Sequence, residues 1–230
     1  SLSRPLDRIA VLARAGSVIP LAGSLTEAAG DNPHELEIVV VPGGSGSFTL
    51  EEDDGSAEPG PDRVARTHMA LTWPDTEDED GGDAVLRIRL EGAAEVVPAS
   101  RLVTVRLLAG QVAGAWLGVG DRARRLATEE VDGDGFTQGA GTLVHVGELS
   151  RQELADGVEL VLRGARQAPA DWHDEVHAIL DAARVAYAAK DQAWAAVERG
   201  MSGTALLGEM ESLGLPEALR SAVAEVLPHS

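Results

Sequence analysis

The chain has 230 residues, of which 44% are hydrophobic and 25% charged, with 38 acids against 19 bases and a formal charge of −19. That composition belongs to a folded domain and excludes long-range disorder and fibrous repeats; the charge argues against nucleic-acid and anionic-membrane partners. The absence of cysteine excludes disulfides, thiolate metal sites and a cysteine nucleophile.

Taken in order, the first apolar segments are Ile9–Ala13 and Ser17–Leu21, read as two strands meeting at a bend on Gly16. Glu35–Val41 and Ser47–Glu51 follow, separated by Pro42-Gly43-Gly44. Thr67, Met69, Leu71 and Trp73 then alternate with His68, Ala70 and Thr72. Leu86, Ile88 and Leu90 alternate with Arg87, Arg89 and Glu91, and Val103, Val105 and Leu107 with Thr104 and Arg106. Such a period of two puts one face in a core and the other in water. Shorter strands are expected at Ala113–Val119, Leu143–Leu149 and Val158–Leu162. The turn signals between them predict an antiparallel β-sandwich, so the fold class is mainly β with a C-terminal α-helical segment.

After Pro169 the period becomes helical. Val176, Leu180, Ala183, Tyr187, Lys190, Trp194 and Val197 form one stripe, predicting a single helix from an Asp171 cap to a stop at Gly200. Two shorter helices are expected, Thr204–Leu213 and Pro216–Leu227, the second ended by Pro228.

Candidate chemistry is sparse. Glu51-Glu52-Asp53-Asp54 could serve as calcium ligands or catalytic acids, yet neighbours on a strand point to opposite faces, so a strand end running into a turn is the better reading. Asp132-Gly133-Asp134-Gly135 and Asp78-Glu79-Asp80-Gly81 lack the twelfth-position glutamate of an EF-hand. His173 and His177 have helical i, i+4 spacing, but Asp174 stands where a zincin carries Glu, which favours solvent-facing histidines. Gly44-Ser45-Gly46-Ser47 misses the nucleophile elbow and reads as a glycine-rich turn. Residues 27–83 hold 16 acids against Arg63 and Arg66, and the part of this stretch from 75 to 83 reads as a solvated acidic loop. These readings assign no catalytic, cofactor-binding or metal-binding residue and no cofactor.

Two segments are more specific. The run from Leu6 to Leu21, with Arg14-Ala15-Gly16-Ser17-Val18-Ile19-Pro20, resembles the Ile-Pro-Val-Phe-Val-Arg-Ala-Gly-Ala-Ile-Ile-Pro stretch of glycoside hydrolase family 31. Gly46-Ser47-Phe48-Thr49-Leu50-Glu51-Glu52-Asp53-Asp54-Gly55 resembles that family's Gly-x-Phe-x-Leu-Tyr-Glu-Asp-Asp-Gly, and Pro98–Val105, with Arg101, resembles a later strand of the same region. Glu51 stands in place of the usual Tyr, and Leu12 and Ala13 in place of Phe and Val. The resemblance implies that residues 1–30 end a proximal β-sandwich, 31–168 form a distal one and 169–230 a helical tail. It implies a non-catalytic C-terminal accessory region of an α-glucosidase or α-xylosidase, whose catalytic aspartates belong to a (β/α)8 barrel outside this chain. That barrel is the expected partner. A carbohydrate-binding sandwich and a homodimer through the helical tail are the alternatives. Ser1 in place of Met makes a fragment or processed product the expectation, and the lack of cysteine makes the cytoplasm the expected location. Strands 9–13 and 17–21 are expected to lack their neighbours.

Overall fold

The computed structural model describes residues 13–23, 32–58, 60–75, 81–118, 120–131, 140–168 and 172–227. The chain divides into two compact units, one of them Ala13–Ala168, the other containing Pro169–Ser230.

The first unit is a β-sandwich. Its strands are β1 (Val18–Ala22), β2 (Glu35–Val40), β3 (Gly46–Asp53), β4 (Val64–Thr72), β5 (Gly82–Gly92), β6 (Ser100–Leu108), β7 (Gly110–Gln111), β8 (Gly114–Leu117), β9 (Arg124–Val131), β10 (Gly141–Ser150) and β11 (Val158–Gln167). They follow one path, β1-β2-β6-β10-β9-β8-β11-β5-β4-β3, with β7 beside β11. The path folds over at β9, which pairs with β10 in one layer and β8 in the other. The two ends of the path, β1 and β3, come into contact, so the sheet is nearly closed.

Period-two burial builds the core between the layers. Leu86, Ile88 and Leu90 of β5 face Val103, Val105 and Leu107 of β6, with Met69, Leu71, Val144, Leu160 and Leu162 around them, all buried. The alternation on β4 runs as expected: Ala65, Thr67, Met69 and Leu71 are inside. Neighbouring strands are antiparallel except β2 and β6, which run parallel. The chain leaves β2 for three strands of the opposite layer and re-enters beside it in the same direction, a crossover that strand alternation does not encode.

Three departures from the sequence reading have clear causes. Val18–Ala22, expected beside a preceding sandwich, pairs with β2 from Val18↔Val40 to Ala22↔Leu36, so this strand has its neighbour within the unit. β9 was not expected because only Leu126 faces the core, while Arg124, Arg125, Glu129 and Glu130 are exposed. A strand that corners between two layers presents little apolar alternation to read. The short helix α1 (Arg151–Asp156) was also not expected; Ser150 and Glu153 cap it reciprocally, and Leu154 is buried among β5 and β10 neighbours.

The helical unit contains α2 (Trp172–Ala182), α3 (Tyr187–Glu198), α4 (Gly203–Ser212) and α5 (Glu217–Val226). Its core is Val176, Leu180, Ala193, Ala196, Val197, Leu206, Met210, Leu215, Val223 and Leu227. The single helix expected over Asp171–Arg199 is two helices, broken at residues 183–186. An unbroken rod of that length would run about 40 Å and separate Val176 and Leu180 from Ala193, Ala196 and Val197; the break lets both stripes share one core. Tyr187, expected inside, is 79% exposed. Gly200, with φ +83°, and Gly214, with φ +70°, end α3 and α4 where expected. The Ile9–Leu12 segment, the Asp171 cap, the acidic run 76–80, the 132–135 turn and Pro228 lie outside the described residues. No described helix is long and apolar enough to cross a membrane.

Candidate functional site

The carboxylate run Glu51–Asp54 is the natural place to look for chemistry, and the structure gives each acid a different structural partner. Glu51, outward on β3, accepts a 2.7 Å hydrogen bond from Nε of Arg66 across the strand pair. Glu52 points the other way, into the core, where it is 6% exposed. There it meets Arg101 of β6, itself 1% exposed. The guanidinium donates through both terminal nitrogens, one at 2.8 Å to Oε2 and the other to Oε1. This fork ties the end of β3 in one layer to the start of β6 in the other. Two ions taken out of water are tolerated only when they satisfy one another in this way.

Asp53 accepts from the N–H of Gly55 at 2.8 Å through its side chain, while its main-chain carbonyl accepts from the Asn32 amide at 2.8 Å. The same Asn32 amide group reaches the Val96 carbonyl at 2.8 Å, pinning the end of β3 to the 94–96 turn. Asp54 accepts from the Ser56 N–H at 3.1 Å and pairs with Arg63. The Ser56 hydroxyl, the Arg63 guanidinium and the Ser56 N–H together hold the Asp54 carboxyl down at about 2. Four consecutive acids thus diverge onto four sets of partners. The link from β3 to β4 runs over residues 54–63, longer than the two-residue hairpin that Asp54-Gly55 signals, because Pro61–Arg63 adds a 3₁₀ turn.

The other candidates also resolve into structure. Ser45 Oγ accepts from the Trp73 N–H at 2.9 Å, fixing the glycine-rich turn to the end of β4. His173 stacks on Trp172 with ring centroids 3.8 Å apart, whereas His177 meets Trp194 edge-on at 4.8 Å, so the two rings go to different aromatic neighbours. Among the described residues no three His, Asp or Glu side chains gather as a metal site.

One arrangement escaped the sequence reading. Thr49 Oγ1 lies 3.0 Å from Nδ1 of His68, and Nε2 of the same ring lies 3.5 Å from Glu91. Hydroxyl, imidazole and carboxylate stand in a line across β3, β4 and β5, the order of a nucleophile, base and orienting acid. Thr49 and Glu91 are exposed and His68 is half-buried, on the outward face of the sheet. The line is a cross-strand polar ladder, continued by Arg89 at 3.5 Å from Glu91. On the same layer Trp116 lies under the Arg163 guanidinium, 4.5 Å from its ring centroid, with Arg125 at 5.7 Å. An indole covered by a guanidinium offers little open face for a sugar.

The segments singled out in the sequence meet one another. Gly16 has φ +82°, and a Cβ there would come within 2.6 Å of the Ser45 carbonyl oxygen; a Cβ on Gly46 would strike the Gly16 carbonyl. The Arg14-Ala15-Gly16 turn and the start of β3 therefore pack backbone to backbone. Further along β3, Glu52 grips Arg101. Local pattern makes the Gly16 bend visible beforehand, but nothing local marks Arg101 as the most deeply buried arginine among the described residues.

No family model matches the sequence, and no curated protein matches it. Among solved structures the chain is similar to the Gracilariopsis lemaneiformis α-1,4-glucan lyase, in a covalent intermediate complex with 5-fluoro-idosyl-fluoride. The TM-score is 0.42 and the identity 15%, and the match covers 64% of this chain and 16% of that one. The chain thus corresponds to a small part of that enzyme's length.

Proposed function

We propose that this chain is the non-catalytic C-terminal accessory region of an α-glycosidase of the family 31 type, bracing a catalytic (β/α)8 barrel. The observation that carries this reading is the convergence of the three resembling segments: Gly16 against Ser45 and Gly46, and Glu52 against Arg101. The residues that carry the resemblance hold a sandwich together. The acids among them are consumed by arginines and N–H groups, and none is left poised for chemistry. Retaining hydrolysis needs two carboxyls about 5–5.5 Å apart, one of them protonated, across a sugar-sized pocket. Asp54, held at about 2, is ionised at any ordinary pH and cannot serve as the acid.

The cysteine-free composition suits a reducing compartment such as the cytoplasm. The test is to incubate the purified chain with aryl α-glucoside and aryl α-xyloside. No turnover is expected. Turnover abolished by substituting an acid of this chain would overturn the accessory reading.

A further inference from the structure

We infer that the Glu52–Arg101 fork binds one internal water molecule, shared between Arg101 Nε and Thr67 Oγ1, which completes the clasp. The inference stands on the sandwich core alone and does not depend on the accessory reading. The fork occupies both terminal nitrogens of the Arg101 guanidinium and leaves the Nε–H outside the pair. That Nε and the Thr67 hydroxyl oxygen are both buried, and neither has a hydrogen-bond partner among the described residues. Arg101 and Thr67 are each 1% exposed and Glu52 is 6% exposed, so bulk solvent does not serve these atoms. A buried polar atom left unpaired costs its full desolvation, and two of them beside one ion pair call for a common partner.

The strand register brings the two atoms to one corner of the core. Thr67 of β4 stands opposite Leu50 of β3, two residues from Glu52 on the same inward face, so Thr67 and Glu52 are diagonal neighbours. Arg101 reaches that glutamate from the opposite layer. Directly opposite Glu52 on β4 is Ala65, 0% exposed, and opposite Ala65 on β5 is Gly92. This row carries only a methyl group and a hydrogen where larger side chains would fill the space beside the fork, which leaves room for a molecule of water's size. The chemistry of the corner names the occupant. The Nε–H needs an acceptor, and the hydroxyl can both donate and accept; water meets both. The carboxylate and the guanidinium cancel, so a cation would meet Arg101 and an anion Glu52, with no net charge to hold either.

The experiment is a crystal structure of the full chain at a resolution that shows ordered water, for the unaltered protein, Thr67→Ser and Thr67→Val. The expected result is one density peak within hydrogen-bond distance of both Arg101 Nε and Thr67 Oγ1. The peak should persist in Thr67→Ser, which keeps the hydroxyl, and vanish in Thr67→Val, which replaces it with a methyl group of similar size. Oxygen-17 water relaxation dispersion reads the same site in solution, where Thr67→Val should lose one long-lived water relative to the unaltered chain. No peak at the corner, or direct contact between the hydroxyl and Nε, would overturn the inference. So would a peak that stays in place in Thr67→Val, or a long-lived water count that the substitution leaves unchanged. If Thr67→Val does not fold, the unaltered protein and Thr67→Ser still decide, since both must carry the peak. Hydrolysis by the chain would sink the accessory reading without touching this one.

Discussion

The sandwich and the helical unit solve the same problem with different means. In the sandwich, strands far apart in sequence are clamped by registered pairing, and the two layers are crossed by a buried ionic fork, Glu52 to Arg101. In the helical unit a small aliphatic core holds four helices of 10 to 12 residues, and the ion pair Arg220–Glu211, at 3.0 Å, lies partly in solvent. Polar interactions therefore carry different weight: in the first unit one pair is desolvated and costly to break, in the second they are screened and cheap. Isolated helices of this length are marginal in water, so the second unit depends on its few buried contacts.

This contrast can be broken in order of expected effect. Arg101→Met alone leaves the Glu52 carboxylate buried without a partner and should cost about 3–5 kcal/mol. Denaturant unfolding should show the loss in the sandwich probes Trp73 and Trp116. A change confined to the helical-unit tryptophans, Trp172 and Trp194, would contradict it. Leu90→Ala removes a buried leucine from the inner face of β5 and should cost about 2–5 kcal/mol; an unchanged midpoint would refute the facing of that strand. In the helical unit, Leu206→Ala empties a fully buried site and should cost about 2–5 kcal/mol, enough to melt α4 and its neighbours before the sandwich unfolds. Smaller is Ser150→Ala, which removes the cap of α1 and should cost about 0.5–2 kcal/mol, with the Glu153 carboxyl, now held below its ordinary range first by the Ser150 hydroxyl, moving back up.

The smallest effect is acid sensitivity at the β3 turn. Asp54 titrates at about 2 when folded and near 3.8 otherwise, so its contribution is full above about 4 and is lost as pH falls through 2. Asp54→Asn should flatten the stability profile of the sandwich within that window and leave it unchanged near neutrality. A profile that keeps its full slope between those values would show that other acids carry it.

How much of this was legible depended on whether the cause was local. Alternation on β4, β5 and β6 reports directly which side faces the core, because a strand half in water must alternate. Gly16, Gly200 and Gly214 announce positive φ because little else tolerates it. The parallel β2–β6 pair, the corner strand β9 and the break at residues 183–186 arise from what the rest of the chain does, and no residue there announces them. Val185 is neither glycine nor proline, yet the shared helical core requires the turn beside it. The capping box of α1 was legible, Ser150 with Glu153 three residues on, and went unread because it lies inside a run of strands. For the candidate site, the divergence of Glu51 to Asp54 followed from strand geometry. The burial of Arg101 did not, since only the meeting of two layers creates it.

The central claim, that the acidic signature of β3 clasps the sandwich and performs no chemistry, rests on the Glu52–Arg101 fork. A double-mutant cycle tests it most directly: Glu52→Leu, Arg101→Met, and the two combined, each measured by denaturant unfolding of the full chain. Each single change should destabilise by about 3–5 kcal/mol, while the combined apolar pair should recover most of that loss, because neither ion is then left buried alone. Additive losses, with a coupling below about 0.5 kcal/mol, would contradict the clasp and return Glu52 to the pool of acids in need of another role.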